Sequence, residues 1–249
     1  MQLNSALYRN SILFFLGFSV LVVWGFWQTY YSNPLQFSDL LIHVHAAAMT
    51  LWCVMLIAQA FLIRTNRRDL HRIIGKSSYA LAPLNVVLQV AVVRRFTRGF
   101  FVEQGVLADG GYTFLSLTLV GALAFSVLFG LAIYYRDRPE IHSRLMVCTA
   151  LPLLVQPVFR VTRQYLSPII EYLPSLPGAE DNFVHIVAFA LADLALAALM
   201  IWDWRSHRRL NVFPAVLVGL VAWQAFTMTG HLIPFWRGFS EWFLAIPGT

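Results

Sequence analysis

The chain has 249 residues, of which 59% are hydrophobic and only 12% are charged, and its mean hydropathy is +0.66. Soluble domains carry about 25% charged residues, so this composition excludes a soluble globular domain and a disordered chain. The composition therefore predicts an integral membrane protein. No linker or low-complexity segment divides residues 1–249, which predicts a single domain.

Seven apolar segments are long enough to cross a bilayer, which takes about 20 residues of helix. They are predicted at about 11–31, 41–63, 73–93, 112–135, 145–166, 183–203 and 212–231. These segments predict an all-α bundle of about seven transmembrane helices. The tail Leu232–Thr249 is rich in Trp and Phe but too short to span, and we predict that it lies at the membrane interface.

Basic residues are concentrated on the side of the bundle that holds the N-terminus, which we call side Y; the opposite side is side X. Most of the 18 lysines and arginines fall on side Y: Arg9, Arg64, Arg67, Arg68, Arg72, Lys76, Arg136, Arg138, Arg144, Arg205, Arg208 and Arg209. The positive-inside rule predicts a cytoplasmic side Y and N-terminus. Topology and anionic lipid explain these charges, so no nucleic-acid partner is expected.

An internal repeat relates the third and fifth predicted helices. With no gap, the aligned polar pairs are His71–His142, Ser78–Thr149, Asn85–Gln156 and Gln89–Arg160. At about 3.6 residues per turn, each set falls on one face of its helix. Polar residues in a bilayer face protein or water, so we predict that these two helices face each other inside the bundle. Interhelical hydrogen bonding is the simpler reason for such stripes.

The histidines lie near the membrane boundaries in two layers. His71 and His142 begin the two polar stripes on side Y, whereas His45, His185 and His231 lie at helix ends on side X. Imidazole is a common ligand of metals and of haem iron. Two facing histidines suit a haem, and the three on side X suit a zinc ion with one open position.

Two charged residues lie at membrane depth. Asp193 lies near the middle of the sixth predicted helix, and Arg160 lies on the polar stripe of the fifth. Charged groups at such depth are functional candidates, so we predict both as candidate catalytic residues. Asp193 suits a proton relay or a hydrogen bond to a ligating imidazole. Arg160 suits an anion such as a haem propionate, a lipid phosphate, or the carboxylate of Glu171, Glu180 or Asp181.

We expect the functional centre toward side X. The connections Arg94–Gly111 and Arg163–Asn182 are the longer ones and lie on that side, and long connections in a compact protein are often functional. His45 and Arg160 also lie toward side X.

Several short motifs recur across about residues 40–165. In chain order they comprise His45, Gln59, His71-Arg72-Ile73-Ile74-Gly75, Tyr79, His142-Ser143-Arg144-Leu145-Met146 and Arg160. This series resembles a widespread group of uncharacterised bacterial multi-helix membrane proteins, with HRxxG and H-x-R-L-M helix starts. The resemblance implies a bacterial inner membrane protein and no particular activity.

The paired histidines resemble, more loosely, the two-haem transmembrane cytochromes b, which place single histidines near opposite ends of successive helices. That resemblance implies a redox protein that binds b-type haem through His45–His185 on side X and His71–His142 on side Y. Ala46–Ala48 leave room for a flat macrocycle beside His45. A quinone or another redox partner would then exchange electrons with the protein. The fourth predicted helix departs from this family because it carries no histidine.

The zinc alternative resembles the seven-helix membrane hydrolases that include alkaline ceramidases and adiponectin receptors. His231 lacks the second histidine four residues away that those proteins carry. A transporter or a structural membrane subunit is a further alternative, because a polar stripe also suits a solute path. The sequence leaves these functions open.

Overall fold

The computed structural model describes residues 3–37, 39–104, 107–170, 179–207 and 212–246, and all regular structure in these ranges is helical. The helices are α1 Leu3–Gly25, α2 Leu40–Arg64, α3 Arg68–Gly75, α4 Ser78–Gln104, α5 Asp109–Tyr134, α6 Pro139–Cys148, α7 Ala150–Ile170, α8 Ala179–His207, α9 Phe213–Thr229 and α10 Pro234–Ala245. A π-helical turn, Trp27–Tyr31, follows α1.

Within the described residues, six helical segments are long and apolar enough to cross a membrane. They are Leu40–Arg64, Ser78–Gly99, Asp109–Tyr134, Pro139–Tyr165, Phe183–Ser206 and Phe213–Leu232. The first predicted span forms α1, apolar over Asn10–Gly25, and then the π-helical turn. The predicted all-α, multi-pass membrane bundle is therefore confirmed.

The core runs through the middle of the bundle, and large apolar side chains also cover its outside. Trp52 of α2 is fully buried against Phe125 and Phe129 of α5, with ring centroids 5.3 and 5.7 Å away. Leu123 and Val218 are more than half exposed. An outer surface this apolar suits a lipid bilayer, which is the environment that the composition predicts.

The internal repeat appears in the structure as a helix break at equivalent positions. The third and fifth predicted spans are each divided, into α3 and α4 and into α6 and α7. Ser78 Oγ donates a hydrogen bond to the carbonyl oxygen of Gly75, and the aligned Thr149 Oγ1 donates to that of the aligned Met146, both at 2.6 Å. His71 therefore lies on a short helix that two residues separate from α4, whereas Thr149 alone, in helical conformation, separates α6 from α7, and the two together form one apolar span.

The prediction that helices three and five face each other is wrong along most of their length. α4 packs mainly against α2 and α5, whereas α7 packs mainly against α8 and α1. The amide of Asn85 on α4 accordingly donates to the Ala48 carbonyl oxygen of α2 at 3.4 Å. Thr149 is buried and Arg160 is half-buried, so the polar stripe of the fifth predicted helix faces protein. Its main neighbours, however, do not belong to the third predicted helix.

The connections on side X differ from the sequence prediction. α4 continues to Gln104, so most of the predicted loop Arg94–Gly111 is helical. α7 continues to Ile170, and residues 171–178 of the second predicted loop lie outside the described residues. The argument for a functional centre on side X that rested on long loops is correspondingly weaker.

The C-terminal tail forms α10, which packs against the side X ends of α4 and α5. Arg94 Nε donates to the carbonyl oxygen of Phe243 at 3.1 Å, and the Tyr112 hydroxyl donates to Glu241 at 2.6 Å. The Trp236 indole is buried and donates to the Tyr112 carbonyl oxygen at 3.3 Å. These contacts fix the helix along its length.

Candidate functional site

The side Y ends of the two repeats bring His71 and His142 together. His71 lies on α3 and His142 on α6, and their ring centroids are 6.5 Å apart with the ring planes at 83°. Both side chains are half-buried. The proximity that the repeat predicts for these two histidines is confirmed, while their role as ligands stays a prediction.

A backbone carbonyl fixes the proton position on the His142 ring. His142 Nδ1 lies 2.8 Å from the carbonyl oxygen of Ala132 at the end of α5. A carbonyl oxygen can only accept, so Nδ1 carries the hydrogen and Nε2 presents a lone pair when the ring is neutral. This is the arrangement that ligating histidines commonly show.

The His71 ring is held by Gln59, a residue to which the sequence assigned no role. With its amide nitrogen toward His71, Gln59 donates to Nδ1 at 2.5 Å and to the His71 carbonyl oxygen at 3.1 Å, and it accepts from the Gly75 N–H at 3.2 Å. The neutral His71 ring then carries its hydrogen on Nε2. The chain reverses before α3 at Asn66, whose φ of 58° is left-handed, and this turn brings Gln59 beside α3.

The local environment lowers the pKa of His71 below its ordinary value. Burial disfavours the charged ring, and His142 and Arg72 add repulsion, against an opposing contribution from a hydrogen bond to the Gln59 backbone. An unfolded histidine titrates near pH 6.5, so below about that pH the unfolded chain binds a proton more readily than the folded chain does. The free energy of unfolding should therefore fall as the pH drops from about 6.5 through the pKa of the folded state.

We expect His71→Gln to reduce this pH dependence, because glutamine does not titrate. The measurement is the thermal unfolding midpoint of the ligand-free chain in detergent at pH values on both sides of about 6.5. The wild type should lose more stability on acidification than the variant does. Equal losses in the two proteins would contradict a neutral, half-buried His71.

A buried ion pair on the helix of His142 was missed by the sequence analysis, which counted Arg144 only among the side Y charges. The Arg144 and Asp203 side chains are only 1% and 2% exposed. Arg144 Nη2 donates to Asp203 Oδ1 at 2.6 Å and Nε donates to Oδ2 at 3.0 Å. Nη1 donates to the Glu140 carbonyl oxygen at 2.8 Å. The pair links α6 to α8. Opposite charges near helix ends on side Y were the signal in the sequence that could have indicated this pair.

The three histidines of the predicted zinc site do not form one. Among the described residues, no three His, Cys, Asp or Glu side chains are grouped closely enough to hold a metal ion. His185 instead packs against Phe159 and Phe189, with ring centroids 4.7 and 6.2 Å away. The Nδ1 atoms of His45 and His231 are buried without a hydrogen-bond partner. Helix ends at a similar depth do not guarantee convergent side chains.

The space expected beside His45 lies on another face of α2. A groove of about 450 Å³ opens on the outside of the bundle, and its lining does not include His45. It is lined by Tyr30, Tyr31, Ala46, Ala47, Thr50, Leu51 and Val54. The small alanines therefore leave room outside the bundle and not at the imidazole.

The two charged residues at membrane depth have different surroundings. Asp193 Oδ1 accepts a hydrogen bond from Gln224 Nε2 at 2.8 Å, which ties α8 to α9. Arg160 Nη1 lies 3.5 Å from Thr29 Oγ1, and the guanidinium carbon lies 4.5 Å from the centroid of the Phe26 ring. This hydrogen bond between two helices is sufficient to explain why Asp193 lies inside the bundle. The catalytic role of Asp193 and Arg160 stays a prediction.

Glu171, Glu180 and Asp181, the carboxylates considered as partners of Arg160, have side chains outside the described part of the structure. Comparisons with protein-family models, with characterised proteins and with solved structures find no match to this chain. The function therefore has to be argued from the arrangement of its own residues.

Proposed function

We propose that this protein is a membrane redox protein that binds b-type haem between His71 and His142. The observation that carries the proposal is the 6.5 Å separation of the two ring centroids. Two imidazoles that bind one metal from opposite sides have centroids about 6 Å apart, because each metal–nitrogen bond is about 2 Å long and the ring centre lies about 1 Å further.

The hydrogen bonds of the two rings support ligation unequally. His142 already presents the Nε2 lone pair, because its Nδ1 donates to Ala132. His71 presents the Nε2 lone pair only when the Gln59 amide turns over, which places the amide oxygen 2.5 Å from Nδ1 and gives up the bonds to the His71 carbonyl oxygen and from the Gly75 N–H. Gln59 can thus accept from Nδ1 as the second partner of a ligating ring.

The surrounding charge also suits haem, whose propionates are anionic. Arg72 and Lys76 are exposed close to His71 in the chain. When bound, haem supplies one-electron transfer, while the protein holds and orients it. Gln59 and the Ala132 carbonyl group would orient the rings, and the basic side chains would bind the propionates.

The wider setting of the proposal follows from the sequence. We propose a bacterial inner membrane location with side Y in the cytoplasm, and a quinone or another redox carrier as the electron partner. A second haem between His45 and His185 stays a prediction. A zinc-dependent hydrolase has less support, because its three proposed ligands are not grouped.

A visible spectrum and iron analysis of the detergent-purified full chain test the proposal. A dithionite-reduced α-band is expected, and His71→Ala or His142→Ala should each remove about one haem per chain. His43→Ala is the matched control, because His43 is bound by the Tyr30 hydroxyl and the Phe37 carbonyl oxygen, each at 3.1 Å. A colourless wild type, or haem retained in both variants, would refute the proposal.

A further inference from the structure

Arg160 is a guanidinium inside the membrane span Pro139–Tyr165 with no carboxylate partner among the described side chains. Two ion pairs in the described part of the chain, neither of which includes Arg160, join Arg95 to Asp39 and Arg144 to Asp203. Arg160 Nε is buried and has no hydrogen-bond partner, and Nη1 has a single contact at the outer limit of hydrogen bonding.

Such a charge is costly in a bilayer unless something compensates it. Charged side chains within spans pair with other groups or line a polar site, because hydrocarbon cannot solvate them. Arg144 illustrates the compensated case, since its guanidinium donates to two carboxylate oxygens and to a carbonyl oxygen. Arg160 has no such set of acceptor oxygens. Its N–H groups without partners therefore indicate a binding site for a ligand that accepts hydrogen bonds.

The end of α1 builds this site. Gly25 lies so close to α7 that a Cβ atom there would be 2.6 Å from the Pro157 carbonyl oxygen. The chain then turns through Trp27–Tyr31, which places the Phe26 ring on one side of the guanidinium and the Thr29 hydroxyl near Nη1. The Phe26 ring covers one face of the guanidinium, so the N–H edges of the guanidinium remain open to a ligand.

A second donor lies one helical turn further along α7. Gln164 is four residues from Arg160, so the two side chains share a helix face. Its Nε2 atom is buried without a hydrogen-bond partner. The site therefore combines a positive charge with several donors that lack acceptors.

We propose that Arg160 and Gln164 bind a phosphate group in the side X half of the bundle. Phosphate offers several strong acceptor oxygens, which suits the paired N–H groups of one arginine edge together with a separate amide donor. The phosphate can belong to a phospholipid headgroup or to a free phosphate compound. This site is independent of the haem proposed on side Y.

The test uses the full chain in detergent with three probes: dihexanoylphosphatidylglycerol, dihexanoylglycerol and inorganic phosphate. Dihexanoylglycerol lacks the phosphate and is the matched control ligand. Binding is followed by the thermal unfolding midpoint and by isothermal titration calorimetry. Saturable binding of dihexanoylphosphatidylglycerol is expected, with Arg160→Gln weakening it about tenfold or more.

The control variant is Arg163→Gln, which changes an exposed arginine on the same helix and should bind like the wild type. Inorganic phosphate that binds saturably and competes with the lipid would identify a free phosphate as the ligand source and still support the site. Equal binding of dihexanoylglycerol, or unchanged phosphate affinity in Arg160→Gln, would overturn it.

Two further variants serve if Arg160→Gln does not fold. Arg160→Lys keeps the charge but loses the two-pronged donor edge, and Gln164→Leu removes the second donor. We expect each to weaken binding about fivefold. Wild-type affinity in both variants would overturn the proposal.

Discussion

Asp203→Asn is expected to lower the free energy of unfolding by about 3–5 kcal/mol, because it leaves the Arg144 guanidinium buried without its counter-charge. The two side chains are almost completely enclosed and share two hydrogen bonds, at 2.6 and 3.0 Å, so water cannot replace the lost carboxylate. The measurement is reversible unfolding in mixed detergent micelles, with the wild type and the variant compared at one pH.

Two controls separate this effect from general damage. The double variant Arg144→Met with Asp203→Leu should recover most of the lost stability, because it removes both charges together. Arg95→Gln breaks the pair with Asp39, in which the arginine side chain is 62% exposed, and should cost about 0–1 kcal/mol. A loss in Asp203→Asn no larger than that of Arg95→Gln would contradict the enclosed pair.

Gly25→Ala is expected to destabilise the bundle by about 1–3 kcal/mol, which is the usual cost of overpacking. The added methyl group would lie 2.6 Å from the Pro157 carbonyl oxygen and 2.7 Å from its Cα atom. Both are backbone atoms, so α1 and α7 have to separate. The same unfolding assay measures the change.

Gly17→Ala on the same helix is the matched control for Gly25→Ala. No atom lies within 4 Å of a Cβ atom built at Gly17. Alanine also favours helix over glycine, so this variant should match the wild type or exceed its stability by up to about 1 kcal/mol. If both alanine variants behave alike, the close approach of α1 to α7 is not the constraint described here.

The helical class and most of the spans could be predicted from composition and hydropathy, because a bilayer demands long apolar helices. The repeat was also detectable from the sequence. In the structure, the aligned Ser78 and Thr149 make equivalent hydrogen bonds. The neighbours of each helix were not predictable. A polar stripe requires a protein environment but does not say which helix provides it, so Asn85 faces α2 and not the fifth span.

The candidate site was predictable only in part for the same reason. The repeat predicted the meeting of His71 and His142, whereas the contact of Gln59 with His71 depends on the turn between α2 and α3. Arg144 and Asp203 are 59 positions apart in the chain, and only the folded structure shows that they are buried together. Depth along separate helices was not enough to bring His45, His185 and His231 together.

The junctions at Ser78 and Thr149 constrain the two imidazoles unequally. Two residues separate α3 from α4, whereas only Thr149, itself in right-handed helical conformation, separates α6 from α7. The His142 ring is also held by the carbonyl oxygen of Ala132, and the buried ion pair ties α6 to α8. His142 is therefore the anchored member of the pair, and the placement of α3 determines the separation of the two imidazoles.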